Sequence, residues 1–126
     1  MGTSDQHKAA AVKFLQLAAS GRVSEAYESF VAANFKHHNP WYAAGAAALE
    51  KGMEENAKAN PEKKFEVLRS VAEGELVAVH SRVQQKPGAP AVSVMHLFRF
   101  EANRIAELWD VGVGEQKDSP NTDGLF

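Results

Sequence analysis

The chain has 126 residues, enough for one domain with a buried core and too few for two domains of ordinary size. With 44% hydrophobic and 24% charged residues its composition is that of a folded protein, and a formal net charge of -2 without a Lys/Arg-rich stretch argues against nucleic acid. No stretch approaches the roughly 20 apolar residues of a membrane span, and the N-terminus lacks a basic region followed by an apolar one, so we expect a soluble cytoplasmic protein.

Two helices are predicted at the start of the chain. Ser4 can cap the first, whose apolar residues recur with three-four spacing until Gly21 ends it. Ser24 can cap the second, which carries the same apolar stripe as far as Val31. A helical hairpin is therefore expected over the first thirty or so residues.

A break and a third helix follow. The helical period is lost over 35–40, and Pro40 favours an extended conformation in the residue before it, which predicts a short strand or a loop. Good helix formers return over 46–59, with apolar residues aligned on one face. Asn60-Pro61 then ends this helix.

The second half of the chain has the period-two pattern of β-strands. Apolar residues alternate over 65–72, 76–86, 91–101 and 104–113, with turn residues between them. Helices first and strands afterwards predict one α+β domain over 1–126, with three helices packed on one side of a curved, mainly antiparallel sheet. The remaining tail, 114–126, has no period and is either frayed or docked by its last two residues.

His96 and Asp110 are the strongest candidates for chemistry, because each interrupts an apolar row of a predicted strand. Side chains alternate along a strand, so the hairpin register decides whether the two share a face. A three-residue loop over 101–103 would place His96 opposite Leu108 and diagonal to Asp110. A two-residue loop at Ala102-Asn103 would separate them. We favour the first, because Ala102 resists the positive φ that the second requires.

Two interpretations of this pair remain open. Since the chain has no cysteine, catalysis would depend on His, Asp, Glu, Tyr or water. As an acid/base couple, Asp110 would take a proton while His96 donates a hydrogen bond or relays the proton. As a structural pair, the two would form a hydrogen bond that holds the last hairpin together.

Five other residues are candidates for substrate binding. His38 and His80 lie on extended segments and can converge with the pair on one cavity, and Phe98 shares the apolar row of His96. Trp41 and Tyr42 follow the Asn-Pro turn and either line a pocket mouth or simply pack.

A metal site is the weaker alternative, and no cofactor is expected. Three imidazoles and a carboxylate suit zinc or iron, but no close pair of ligands anchors such a group. The residues concerned are His38, His80, His96 and Asp110. Two further histidines are expected to have no role: His37 is predicted to be solvated, and His7 has no evident partner.

Several short motifs in chain order resemble the SnoaL-like branch of the nuclear transport factor 2-like superfamily. They are His-His-Asn-Pro at 37–40, the segment from Ala to His at 72–80, Leu-Phe-Arg-Phe at 97–100, Glu-Leu-Trp-Asp-Val at 107–111, and the closing residues 120–126. The resemblance covers nearly the whole chain. It implies a cystatin-like cone, in which a strongly bent sheet wraps around the helices and encloses a pocket, with the outer sheet face often used for dimerisation.

The resemblance also implies roles for the candidate pair. In polyketide cyclases of this branch an aspartate on the last long strand acts as acid/base with a histidine on the strand before it, which corresponds to Asp110 and His96. This chain departs from many relatives, which have Asp at the position of His96 and His at that of Leu108. By analogy with the family we expect a homodimer that binds a small apolar or carbonyl-containing molecule. It is either a cyclase-, isomerase- or lyase-type acid/base enzyme or a noncatalytic binding module.

Overall fold

Three helices and five strands succeed one another in the computed structural model, which describes residues 3–126. Met1 and Gly2, part of the predicted domain, lie outside the described residues. The helices are α1 (Thr3–Ala19), α2 (Val23–Phe30) and α3 (Ala46–Ala59). The strands are β1 (Val31–His37), β2 (Lys64–Glu73), β3 (Leu76–Gln84), β4 (Val92–Glu101) and β5 (Arg104–Gly114).

The predicted helices are confirmed, but their N-terminal caps are not. Thr3 already lies within α1, so Ser4 is inside the helix rather than capping it. Arg22 precedes α2 without a side-chain hydrogen bond to the helix end, and the Ser24 hydroxyl lies 3.4 Å from a carboxylate oxygen of Glu54. Gly21 ends α1 with φ of 91°, a left-handed conformation that glycine adopts at little cost.

One mixed sheet contains all five strands of the described residues, in the order β1-β5-β4-β3-β2. The predicted antiparallel meander is confirmed over β2 to β5. β1 starts at Val31, earlier than predicted, because the chain becomes extended directly after α2, and it pairs with β5 in parallel. The added strand places the segment after His37 next to β5.

The hairpin between β4 and β5 has the two-residue turn that the sequence argument disfavoured. Ala102 and Asn103 take φ of 47° and 67°, and Glu101 pairs with Arg104. The expected separation of His96 and Asp110 does not follow, because Ala106 is an extra residue that forms a β-bulge between the pairs Phe100–Ile105 and Arg99–Glu107. Beyond the bulge the register shifts by one residue, and His96 lies directly opposite Asp110.

The helices cover the concave face of the sheet. Phe14 of α1 packs against Phe98 in an edge-on arrangement with ring centroids 6.0 Å apart, and both are fully buried. Further register shifts interrupt the β1–β5 and β2–β3 pairings. Such irregularities bend strands, and here they accompany the curvature of the unclosed sheet.

The C-terminal tail is docked on the outer sheet face. Phe126 stacks on His80 with centroids 6.5 Å apart, and the Arg82 guanidinium lies 5.4 Å from the centre of the same ring. Of the two alternatives for 114–126, the docked one is therefore observed at the terminal residue. None of the helices over 3–126 has the length and apolar character needed to cross a membrane.

Candidate active-site pocket

A cavity of about 240 Å³ lies between the helices and the concave face of the sheet. It is slightly smaller than the 300–1,000 Å³ typical of ligand sites, so it suits a compact ligand. Most of its wall is apolar and comes from α1, α3 and the strands, including Leu15, Leu49, Met53, Phe65 and Leu108. The polar lining side chains are Asn39, Tyr42, Asn56, Lys63, Gln85, His96 and Asp110.

Asp110 is half-buried in the lining of this pocket, and its carboxylate is hydrogen bonded by a residue of the loop that follows β1. Its Oδ2 accepts a hydrogen bond of 3.3 Å from Nδ2 of the Asn39 side chain. The Asn39 side-chain oxygen in turn accepts the backbone N–H of Trp41 at 2.9 Å. Asn39 therefore joins the conformation of the loop to the position of the carboxylate, a role that the sequence reasoning did not assign to it.

His37 fixes the same loop and is buried, so the prediction that it is solvated was wrong. Its Nδ1 accepts the backbone N–H of Asn39 at 3.1 Å, which leaves Nε2 as the nitrogen that donates to the Ala43 carbonyl at 2.8 Å. Phe35 and His37 are two residues apart on β1, and alternate residues of a strand share a face. The apolar Phe35, which is buried, could therefore have predicted that His37 is buried as well.

His96 lies deeper in the pocket, with 8% of its surface exposed. Its ring centroid is 6.2 Å from that of Phe65 and 6.0 Å from that of Phe98, and its Nδ1 is buried without a hydrogen-bond partner among residues 3–126. Burial, with a smaller effect of the Lys63 charge, lowers the pKa of His96 from 6.5 to about 4. The imidazole is consequently neutral at pH 7 and acts as a hydrogen-bonding group rather than a cation.

His96 and Asp110 are adjacent but not hydrogen bonded to each other. They are cross-strand partners and both line the pocket, yet the one side-chain hydrogen bond found for the carboxylate among residues 3–126 comes from Asn39. A ligand in the cavity can therefore meet both groups. The structural interpretation, a His-Asp hydrogen bond holding the hairpin, is not observed.

Lys63 is a pocket residue that the sequence analysis missed. It follows the Pro61 turn, is half-buried, and its Nζ donates a 2.8 Å hydrogen bond to Asn56 Oδ1 of α3. Burial lowers the pKa of Lys63. A lysine before a strand usually extends into solvent, and nothing in the local sequence distinguishes this one.

His38 lies on the outer sheet face, so the prediction that it binds substrate in the cavity was wrong. Its ring stacks on Trp109 at 5.0 Å, and its Nε2 lies 2.6 Å from Glu107 Oε2. Hydrogen bonds from His38 and Arg99 lower the pKa of Glu107. Lys36 is in the same outward phase, which was the signal that His38 would face away from the helices.

The other predicted binding residues are divided between pocket, core and surface. His80 is on the outer face, where its Nε2 lies 2.7 Å from Ser93 Oγ, and Phe98 is fully buried in the core behind His96, so both predictions are corrected. Trp41 is 85% exposed and is absent from the pocket lining. Tyr42 does line the pocket mouth, with its ring over Gly52 of α3.

The hypothetical metal cluster does not assemble, because His38 and His80 are on one face of the sheet while His96 and Asp110 are on the other. Over residues 3–126 no three His, Cys, Asp or Glu side chains come together in a way that would hold a metal ion.

These features define a class of protein: an α+β fold of the nuclear transport factor 2-like type, with a pocket between three helices and an unclosed, bent sheet. A sequence model of the SnoaL-like domain matches residues 11–108, and the chain belongs to that family. No curated protein matches the chain significantly.

Solved structures share the fold at low sequence identity. AclR from Streptomyces galilaeus, a candidate hydroxylase, superimposes with a TM-score of 0.74 at 21% identity over 87% of this chain and 90% of its own. A candidate ketosteroid isomerase from Kribbella flavida superimposes with a TM-score of 0.74 at 17% identity, over 94% of this chain and 85% of its own. A candidate polyketide cyclase from Sinorhizobium meliloti superimposes with a TM-score of 0.64 at 22% identity, over 79% of this chain and 92% of its own. At this identity the likeness concerns the fold alone.

Proposed function

We propose that this SnoaL-like protein binds a small, largely apolar carbonyl compound and catalyses proton transfer at the carbon next to the carbonyl group. Aldol cyclisation, isomerisation and dehydration all begin with this step. The observation that carries the proposal is the placement of Asp110 directly opposite His96 in a mainly apolar pocket.

Asp110 is the proposed base. A carboxylate that accepts one weak hydrogen bond of 3.3 Å from Asn39 keeps free lone pairs for a substrate proton. The apolar wall around it reduces competition from water, which strengthens electrostatic interactions within the site. After the proton leaves carbon, the bonding electron pair moves onto the carbonyl oxygen to give an enolate.

His96 is the proposed partner of that oxygen. Since its pKa of about 4 keeps it neutral at pH 7, it would stabilise the enolate by donating a ring N–H hydrogen bond. Reprotonation of the product then falls to Asp110, which holds the proton it has taken. This assigns polarisation to His96 and both proton transfers to the carboxylate.

Deuterium exchange tests the proposal without knowledge of the natural substrate. A panel of compact enolisable ketones and β-keto esters is incubated with the protein in D₂O, and loss of the α-proton signal is followed by NMR. The wild type should exchange at least one member above the buffer rate. Asp110→Asn should exchange it about a hundredfold to ten-thousandfold more slowly, the usual contribution of a positioned base.

Asp118→Asn is the matched control, because Asp118 is an exposed carboxylate in the tail. It should exchange at the wild-type rate. Equal exchange by the wild type and Asp110→Asn would contradict the role of the carboxylate, and a panel that exchanges only at the buffer rate would contradict the proposed reaction.

A noncatalytic ligand-binding module is the second candidate function. The absence of a His96–Asp110 hydrogen bond favours it, since catalytic histidines are commonly oriented by a carboxylate. On this alternative the panel compounds would bind and would not exchange.

A further inference from the structure

We infer that the ligand of this pocket is a small organic acid whose carboxylate binds to Lys63, while its apolar body extends towards His96 and Asp110. The inference rests on the proposed function for the location of the site and adds the chemical class of the ligand. It depends on four features: an unpaired cation, unpartnered polar atoms, the order of groups across the sheet, and the apolar wall.

Lys63 is a half-buried cation without a counter-ion. No Asp or Glu of residues 3–126 forms an ion pair with it, and its ammonium group donates to the neutral Asn56 amide at 2.8 Å. An ammonium group has three N–H donors, so this contact leaves donors for a ligand. Moving a charge out of water is costly unless an opposite charge compensates, and the apolar ligand site has none at this end.

Two residues of the pocket lining carry polar atoms without partners. Among residues 3–126, the Nδ1 of His96 and the side-chain oxygen of Gln85 form no hydrogen bond, and both atoms are shielded by the surrounding protein. Buried polar atoms are nearly always bonded in folded proteins, so either side chain gains a partner by turning towards a polar ligand. The NH₂ group of Gln85 is then the donor available to the second oxygen of a carboxylate.

The strand order separates the cation from the proposed base. Lys63 precedes β2 at one edge of the sheet, while Asp110 is on β5, with β3 and β4 between them. At about 4.8 Å per strand the two strands are roughly 14 Å apart along the sheet. A carboxylate at Lys63 would therefore lie at the side of the cavity formed by β2, Asp110 lines it from β5, and the strand of His96 lies between the two.

The wall between these ends accepts an apolar body. Leu49 and Met53 of α3 and Phe65 of β2 line the cavity near Lys63. A keto acid of modest size satisfies the whole arrangement, with the carboxylate at Lys63, the apolar part along this wall, and the acidic carbon at Asp110.

Binding measurements on matched acids and amides test the inference. The probes are phenylacetate, 3-phenylpropanoate and hexanoate, each compared with its neutral primary amide by calorimetry at pH 7. Wild-type protein should bind the best acid about tenfold to a hundredfold more tightly than its amide, the range for a hydrogen bond to a charged group. Lys63→Met should abolish this preference while Lys63→Arg retains part of it.

Lys64→Met is the control, since Lys64 is the exposed neighbour and its loss should leave the preference unchanged. Equal affinity of the wild type for acids and amides overturns the inference, as does a preference that survives in Lys63→Met or a failure of all three acids to bind at millimolar concentration. Because binding is measured without turnover, failure here leaves the deuterium-exchange test of Asp110 independent.

Discussion

Protonation of His96 should destabilise the protein in a defined pH range. The pKa of the folded-state imidazole is lowered from 6.5 to about 4, mainly by burial. Between these values the unfolded chain binds a proton that the folded chain does not. The contribution of neutral His96 to the free energy of unfolding is therefore fully present above about pH 6.5 and is lost as the pH decreases towards 4. The full loss corresponds to about 3 kcal/mol, of which about 2 kcal/mol is reached by pH 5.

Urea unfolding of the wild type and His96→Gln at pH 7 and pH 5 measures this effect. Other groups titrate in the same range, and the difference between the two proteins isolates His96. The wild type should lose about 2 kcal/mol more than the variant between the two pH values. His80→Gln, a change on the opposite face of the same sheet, should retain the loss caused by His96.

An identical decrease in wild type and His96→Gln would refute this reasoning. A direct check is the NMR titration of the His96 ring in the folded protein. A transition above pH 6 would show that the imidazole is better solvated, or closer to the Asp110 carboxylate, than the structure indicates. Lys63→Met should raise the pKa of His96, because it removes the second cause of the lowering.

Two further predictions concern the pocket mouth and the outer face. Gly52→Ala would place a methyl group against the Tyr42 ring, which would have to shift, while alanine gains about 1 kcal/mol over glycine inside a helix; the substitution should therefore be about 1–2 kcal/mol less favourable in the wild type than in a Tyr42→Ala background, and equal effects in both, measured by urea unfolding, would contradict the contact. We also propose a homodimer through the outer sheet face, where Val111 is 70% and Met95 42% exposed. Light scattering should give twice the monomer mass for the wild type and the monomer mass for Val111→Lys, and a monomeric wild type would refute it.

The alternation of side chains along each strand could be predicted from the sequence, and so could the division into helices and strands. Phe98 was placed in the apolar row of His96, and this row is observed. His80 alternates in phase with Arg82, and a charged neighbour on the same face of the strand favours an outward direction. Which row of a strand faces the helices depends on the packing of other elements, and this led to the wrong assignment of His80.

The hairpin shows why the site could not be derived completely. Positive φ is locally unfavourable for Ala102, but tertiary context overrides a local preference of roughly 1–2 kcal/mol. No glycine or typical turn residue next to Ala106 in the sequence indicates a bulge. Lys63 was missed for a similar reason, because its burial depends on α3 and the sheet together.

The bulge at Ala106 also means that the spacing of His96 and Asp110 along the chain is not fixed by the geometry of the pocket. The pairs Phe100–Ile105 and Arg99–Glu107 are consecutive in the ladder, and Ala106 is the additional residue between them. Deletion of this one residue would leave a regular hairpin in which the residues beyond it keep their partners and Asp110 still lies opposite His96. Chains that differ by one residue at this hairpin can therefore hold the same two groups in the same pocket, and relatives should be aligned here by side-chain face rather than by residue count.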